Sequence, residues 1–380
     1  MYFNNEFISR IADEFVKKYD ISILDWFKCS FAAFTLFQRD VSVNPEIRIS
    51  KDINIPEKEL LKYLRINSYS VEELRQHYLQ VRKETEKEFH FLISYAFLEK
   101  PILLLPNGKY VSPLPSLIIR QLGHGLNELI RRIDKNGYHL GKAFQLYCSD
   151  VLNCLSADKQ LYDEDYLQKL IKGEKCCDFL LCTNHENILI ECKAVNFNVK
   201  VLTENGLKSS GLVTKVVEGI SQIYETIEHI VSGKLKNINL DLNKPFVPII
   251  VTLEEIPEAN SDWYYNKIIL GNDKAKKLKV MDKPNLIILR PIILSVNTLE
   301  KLISFMSSAS VSCFDLYNEW SRLGYHFAGD WGIYLSQKIA TEFAGRNIML
   351  QFMGKEFNSF LQTLKVKSDL EESDFLLKMD

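Results

Sequence analysis

Residues 177–194, CDFLLCTNHENILIECKA, decide how the chain is read. Two apolar runs, Phe179–Cys182 and 188–190, flank the polar turn Asn184-His185-Glu186-Asn187. Short runs rich in strand-formers on either side of a few loop residues predict a β-hairpin. Side chains alternate along a strand, so Glu191 and Lys193 share one face. If the turn pairs Thr183 with Ile188, Asp178 stands opposite Lys193 and diagonal to Glu191. Directly opposed residues lie roughly 5 Å apart and diagonal ones about 7–8 Å. Two acids and an amine are therefore expected to converge on one patch.

Two carboxylates at that separation suit a hard divalent cation, leaving positions for water and phosphate. Such an ion acidifies water and neutralises charge growing on a phosphoryl oxygen. Lys193 can orient the attacking water or act as a fixed cation. The bland reading is a salt-bridged strand pair on a solvated face. Against it, both strands are mostly apolar on either face, and a buried charged trio is costly without a use.

An Asp at a strand start, followed by Glu-x-Lys on the partner strand, resembles the PD-(D/E)xK nuclease superfamily. Here the signature reads Cys177-Asp178 … Glu191-Cys192-Lys193, with Cys177 where the superfamily has Pro. The resemblance covers residues 139–300. It implies an α/β (α+β) fold with a restriction-endonuclease-like core, a mixed sheet flanked by helices. It further implies Asp178 and Glu191 as ligands of Mg²⁺ (or Mn²⁺) and Lys193 as the catalytic lysine. Relatives often carry a Glu on the first helix; the matching place here holds Gln145, so a third acidic ligand is not implied. An amide oxygen can still accept from water on the metal, and a plain exposed helical Gln fits the position equally. Many members also carry a polar residue on the helix after the hairpin, for which Gln222 is the candidate. Lys215, on the same helix, is a further substrate-binding candidate.

The bulk numbers bound the alternatives. At 380 residues the chain is long enough for two or three cores of about 150 residues each. With 46% hydrophobic and 25% charged residues it reads as an ordinary globular protein. No apolar run approaches the ~18 residues that span a bilayer, and the start, MYFNNEFISR, lacks the pattern of a signal peptide. Eight cysteines scattered over a large chain suit reduced thiols, hence a cytoplasmic location. A net charge of −2 supplies no global field toward nucleic acid, so any such binding needs a local basic surface.

Along the chain, residues 1–138 predict a mostly helical N-terminal domain. Phe7, Ile8, Ile11 and Phe15 recur at helical spacing, and 24–37 is an apolar, aromatic-rich helix. Pro56 opens another helix, and Ser70-Val71-Glu72-Glu73 is a capping box for the next. Asn107-Gly108, between PILLL and KYV, predicts a hairpin. Helix, helix, hairpin fits a winged-helix layout with Lys109 and Arg120 as DNA contacts, and fits plain packing as well.

From Gly141 a stripe of Phe144, Tyr147, Cys148, Val151 and Leu155 predicts the helix that opens the nuclease-like domain. Residues 161–173 are acidic and leave strand or helix open. After the hairpin, 215–232 predicts an amphipathic helix: Val216, Ile220, Ile223, Ile227 and Ile230 on one side, Glu218, Gln222, Glu225 and His229 on the other. Residues 246–253 and 286–294 read as strands, Pro291 suggesting an edge. Lys274, Lys276, Lys277 and Lys279 form either a solvated loop or a contact to a phosphate backbone. Residues 301–380 read as a helical C-terminal region, with Trp320, Tyr325, Trp331 and Tyr334 as core candidates.

Cys176, Cys177, Cys182 and Cys192 have the wrong spacing for a zinc knuckle and read as buried strand cysteines. No phosphate loop, dinucleotide fingerprint or Gly-x-Ser-x-Gly elbow occurs. The expectation is a metal-dependent DNA endonuclease, RNA being the less favoured substrate, with homo-oligomers or a partner defence subunit as companions and no membrane. By analogy the helical flanks suggest a restriction or anti-phage effector. The rival is a catalytically silent nuclease fold that binds nucleic acid or a partner protein.

Overall fold

The computed structural model describes residues 6–44, 55–84, 96–155, 159–195, 211–272, 285–324 and 330–343. The chain divides into two compact units, with the break between Leu140 and Gly141.

The first unit is helical with a small mixed sheet. Helices α1 (Glu6–Tyr19) and α2 (Ile23–Arg39) are followed by β1 (Ser42–Val43), α3 (Glu57–Ile66), β2 (Ser68–Ser70) and α4 (Val71–Glu84). Then come α5 (Ala96–Glu99), the hairpin β3 (Ile102–Leu104) and β4 (Tyr110–Val111), α6 (Ser116–Arg120), a π-helical stretch Gln121–Gly125 and α7 (Leu126–Arg131). The capping box forms reciprocally. The Glu73 N–H donates to Ser70 Oγ at 3.2 Å, and the Ser70 N–H to Glu73 Oε2 at 2.7 Å. Gly108 closes the β3–β4 hairpin at φ +79°, a left-handed turn that favours glycine. The sheet order β1-β4-β3-β2 puts the parallel strand β2 against that hairpin. Lys109 is exposed, whereas Arg120 donates to the Leu98 carbonyl at 3.0 Å. Trp26, Tyr63, Phe15, Leu60 and Leu64 fill the core.

The second unit is a five-stranded mixed sheet covered on both faces. After α8 (Tyr138–Leu152) come β5 (Gln160–Asp163), α9 (Glu164–Leu170), β6 (Phe179–Cys182) and β7 (Asn187–Lys193). These are followed by α10 (Gly211–Val231), β8 (Phe246–Thr252), β9 (Ile292–Ser295), α11 (Val296–Ala309), α12 (Cys313–Arg322) and α13 (Trp331–Phe343). The ambiguous acidic stretch thus holds both a strand and a helix. The order is β5-β6-β7-β8-β9; β5, β6 and β7 pair antiparallel, while β7, β8 and β9 run parallel.

Alternation sorts the strands between two cores. Leu180, Leu189 and Ile250 face Val216, Ile220, Ile223 and Ile227 of α10. Phe179, Leu181, Ile188, Ile190 and Val251 face Phe144, Cys148 and Val151 of α8, and with them Leu299, Phe305, Trp320 and Trp331 of the last helices. β8 is buried along its whole length, as a strand covered on both faces must be. The helices expected as a separate C-terminal region therefore belong to this core, because their apolar faces cover one side of the sheet. The segment with Lys274, Lys276, Lys277 and Lys279, the residue Tyr325 and everything beyond 343 lie outside the described residues. All eight cysteines are free thiols, and among the described residues no helix is long and apolar enough to cross a membrane.

One buried acid serves the fold alone. Glu186, in the β6–β7 turn and 0% exposed, accepts the backbone N–H groups of Cys313 at 2.9 Å and Phe314 at 2.7 Å. It thereby takes two of the free amides at the start of α12 and sits against the positive end of that helix. Glu186→Ala should destabilise the protein by at least about 2 kcal/mol, since two buried donors lose their partner. An unchanged urea midpoint would contradict this.

Candidate active site

The β6–β7 hairpin positions the trio, in a register two residues away from the expected one. Phe179 pairs with Ile190 and Cys182 with Asn187. Continued by one residue, that register sets Asp178 across from Glu191 rather than Lys193. The cause lies in the turn. The Thr183 hydroxyl accepts the N–H groups of His185 and Glu186, both at 3.1 Å, and the Thr183 N–H donates to the Glu186 carbonyl at 3.0 Å. Residues 183–186 are thus tied up among themselves, and the ladder begins at Cys182. A shift of two keeps every side chain on its face, so the trio still converges.

Side chains take over the ladder bonds where β6 begins. Asp178 Oδ2 accepts the Cys192 N–H at 2.6 Å, and Glu191 Oε2 accepts the Asp178 N–H at 3.1 Å. Lys193 Nζ donates to Glu191 Oε1 at 2.5 Å and to Gln222 Oε1 at 2.7 Å. Gln145, reaching from α8, donates through Nε2 to Asp178 Oδ1 at 2.9 Å. Asp178, Glu191, Lys193, Gln145 and Gln222 therefore form one connected network. Lys215 does not join them: it is exposed and pairs with Glu218 at 2.9 Å.

Burial governs the electrostatics. Glu191 is 2% exposed and Asp178 9%. Desolvation pushes the Asp178 carboxyl up to about 6, against the pull of the Cys192 N–H. Glu191 is pushed up to about 8, first by desolvation and then by the charge of Asp178, with Lys193 pulling the other way. The two acids titrate as a pair. Each of their four oxygens accepts one hydrogen bond and keeps a second lone pair. Among the described residues no three or more His, Cys, Asp and Glu side chains are grouped to hold an ion. The acidic pair supplies hard oxygen donors of the kind a divalent cation takes, the rest of whose shell would come from water and substrate.

Helix α10 closes the centre from above. A methyl group at Gly219 would lie 3.1 Å from Glu191 Cγ, 3.1 Å from Lys193 Cε and 3.0 Å from Ile250 Cδ1. Even a methyl group would force these neighbours to give by a few tenths of an ångström, since the helix passes directly over the two charged stems. Gln222, Thr226 and His229 follow at helical spacing. Gln222 Nε2 donates to the Cys176 carbonyl at 3.4 Å, Thr226 Oγ1 accepts the Cys177 N–H at 2.8 Å, and His229 Nε2 lies 3.2 Å from the Lys175 carbonyl. Gln222, the candidate on this helix, thus reaches the centre, and His229, set by the pattern opposite the apolar stripe, meets the polar backbone of residues 175–177. Gly219→Val should cost about 1–3 kcal/mol through overpacking and shift Lys193 off its partners. A urea midpoint and an activity equal to wild type would contradict it.

Two residues of the network were not foreseen. Glu164, the first residue of α9, accepts from Lys142 Nζ and from Gln145 Nε2, both at 3.2 Å. Lys142 also donates to Gln145 Oε1 at 2.8 Å. Lys142 and Gln145 lie one helical turn apart, a spacing that could have suggested a shared face. No protein-family model, curated protein or solved structure matches the chain.

Proposed function

We propose that the chain is a metal-dependent nuclease with a restriction-endonuclease-like core, hydrolysing phosphodiester bonds, with DNA as the preferred substrate. The observation that carries this reading is the convergence of Asp178, Glu191 and Lys193 in one buried network, where two adjacent carboxylates are expensive to keep charged. The element order also supports it: a helix, an antiparallel hairpin, a covering helix and a further parallel strand.

Asp178 and Glu191 would hold Mg²⁺ or Mn²⁺, which when bound supplies charge neutralisation at the phosphoryl group and acidified water. The chain does the positioning. Two of the three N–H groups of Lys193 are taken by Glu191 and Gln222. The third remains to orient the attacking water or meet a developing oxyanion. Gln145 fixes the Asp178 carboxylate, and Gln222 fixes the ammonium.

The free thiols support action in the cytoplasm, and an anti-phage effector with partner subunits or further copies of itself is the setting we infer by analogy. The test is incubation of the purified chain with supercoiled plasmid, linear duplex, single strands and RNA, in Mg²⁺, Mn²⁺ or EDTA. Cleavage that requires a divalent ion and disappears on Lys193→Ala is expected. Binding without cleavage under every condition would instead favour a silent nuclease-fold module. That second reading draws on Gln145 standing where the resemblance implies Glu, and on the closeness of Lys193 to Glu191.

A further inference from the structure

The Gln145 amide stands between opposite charges. Its Oε1 accepts from the Lys142 ammonium at 2.8 Å, while its Nε2 donates both to Glu164 Oε2 at 3.2 Å and to Asp178 Oδ1 at 2.9 Å. Lys142 and Glu164 are themselves an ion pair at 3.2 Å, partly buried at 36% and 23% side-chain exposure. Turned end for end, the amide would aim its oxygen at two carboxylates and its NH₂ at an ammonium. The charges therefore select one of two orientations that are nearly identical in shape. Backbone anchoring keeps Glu164 in place: Asp163 caps α9 by accepting the Tyr166 N–H at 2.8 Å, and Gln168 holds Glu164 Oε1 at 2.9 Å.

We propose that Lys142 and Glu164 are positioning residues which set the polarity of the Gln145 amide, so that Asp178 always receives an N–H and presents its remaining lone pairs toward Glu191. This rests on the reading of the acidic pair as a cation site. Both reach Asp178 through Gln145, and their charges also act directly on its carboxyl, Glu164 raising it and Lys142 lowering it. Partners that orient a ligating carboxylate in this way are worth about 10–100-fold in metal affinity when removed.

The discriminating experiment compares Glu164→Gln with the charge exchange Lys142→Glu/Glu164→Lys. Three readouts serve: the melting temperature, the affinity for Mn²⁺ by calorimetry, and the side-chain ¹⁵N–H₂ resonances of Gln145. A merely structural ion pair predicts that the exchange restores the melting temperature and leaves the Gln145 side-chain resonances in place. The positioning role predicts that it restores the melting temperature but leaves Mn²⁺ affinity about 10–100-fold down, because the exchanged charges turn the amide oxygen toward Asp178. Glu164→Gln should weaken Mn²⁺ in the same direction and move the Gln145 resonances. Recovery of wild-type Mn²⁺ affinity in the exchange variant would overturn the proposal. Should the unaltered protein bind no Mn²⁺, the cation reading fails, and the resonances decide. Movement in both Glu164→Gln and Asp178→Asn upholds the polarity device, and their immobility refutes it.

Discussion

Asp178→Asn is expected to abolish divalent-dependent cleavage while leaving the protein about as stable as before. Losing one of two acidic oxygen donors removes several kcal/mol of charge stabilisation, a fall of at least about 10³-fold in rate. The stability side follows from the neighbours of Asp178. Asparagine keeps the shape and one acceptor oxygen for the Cys192 N–H, and loses the bond from Gln145. A hydrogen bond to a carboxylate contributes about 1.5–3 kcal/mol net. Against it, desolvation lifts the Asp178 carboxyl from 3.8 to about 6, so at pH 8 its buried charge costs roughly 3 kcal/mol. The two nearly cancel. A nuclease assay and a urea melt at pH 8 check the two halves, and cleavage within tenfold of wild type would remove the basis of the proposed function.

The second large effect is on pH. Asp178 and Glu191 both have folded values above their unfolded ones, 3.8 and 4.5. The folded state therefore binds more protons than the unfolded state between those limits, and stability falls as pH rises. The contribution is complete below pH 3.8 and is lost as pH passes through about 6 and then about 8. Without a divalent ion the protein should thus be a few kcal/mol less stable at pH 8 than at pH 5. On the proposed cation site, Mg²⁺ or Mn²⁺ would bind only the ionised pair and should restore stability at pH 8, with little effect at pH 5. Glu186 and Glu300 are also pushed up by burial, so the measurement is paired with Glu191→Gln, whose pH slope should be shallower. Urea midpoints in EDTA and in Mg²⁺ at the two pH values give the answer. A flat wild-type profile in EDTA would refute the electrostatic account.

Much of this centre was legible because it depends on a period of two. Glu191 and Lys193 share a face wherever their strand runs, and Asp178 joins them for any register shifted by an even number. The register itself was not legible, since it is set by the Thr183 hydroxyl capturing two turn amides, a local choice the apolar pattern does not encode. Helical amphipathicity set Gln222 and His229 opposite the apolar stripe, but it says nothing of polar partners waiting on that side. Here the carbonyls of Cys176 and Lys175 compete for them. Glu164 and Lys142 meet only because α8 and α9 come together around the start of β6, which no spacing along the chain reveals.

The Glu186 anchor bears on how this protein can be divided. The ribbon carrying Asp178, Glu191 and Lys193 hangs by its tip from amides that lie 127 residues downstream. A fragment cut out at residue 300 would retain Asp178, Glu191 and Lys193 and still lose that tether, leaving Glu186 without its backbone partners at the bend. The smallest transplantable module that keeps this centre must therefore extend through the Cys313 helix, and tags or fusions belong outside it.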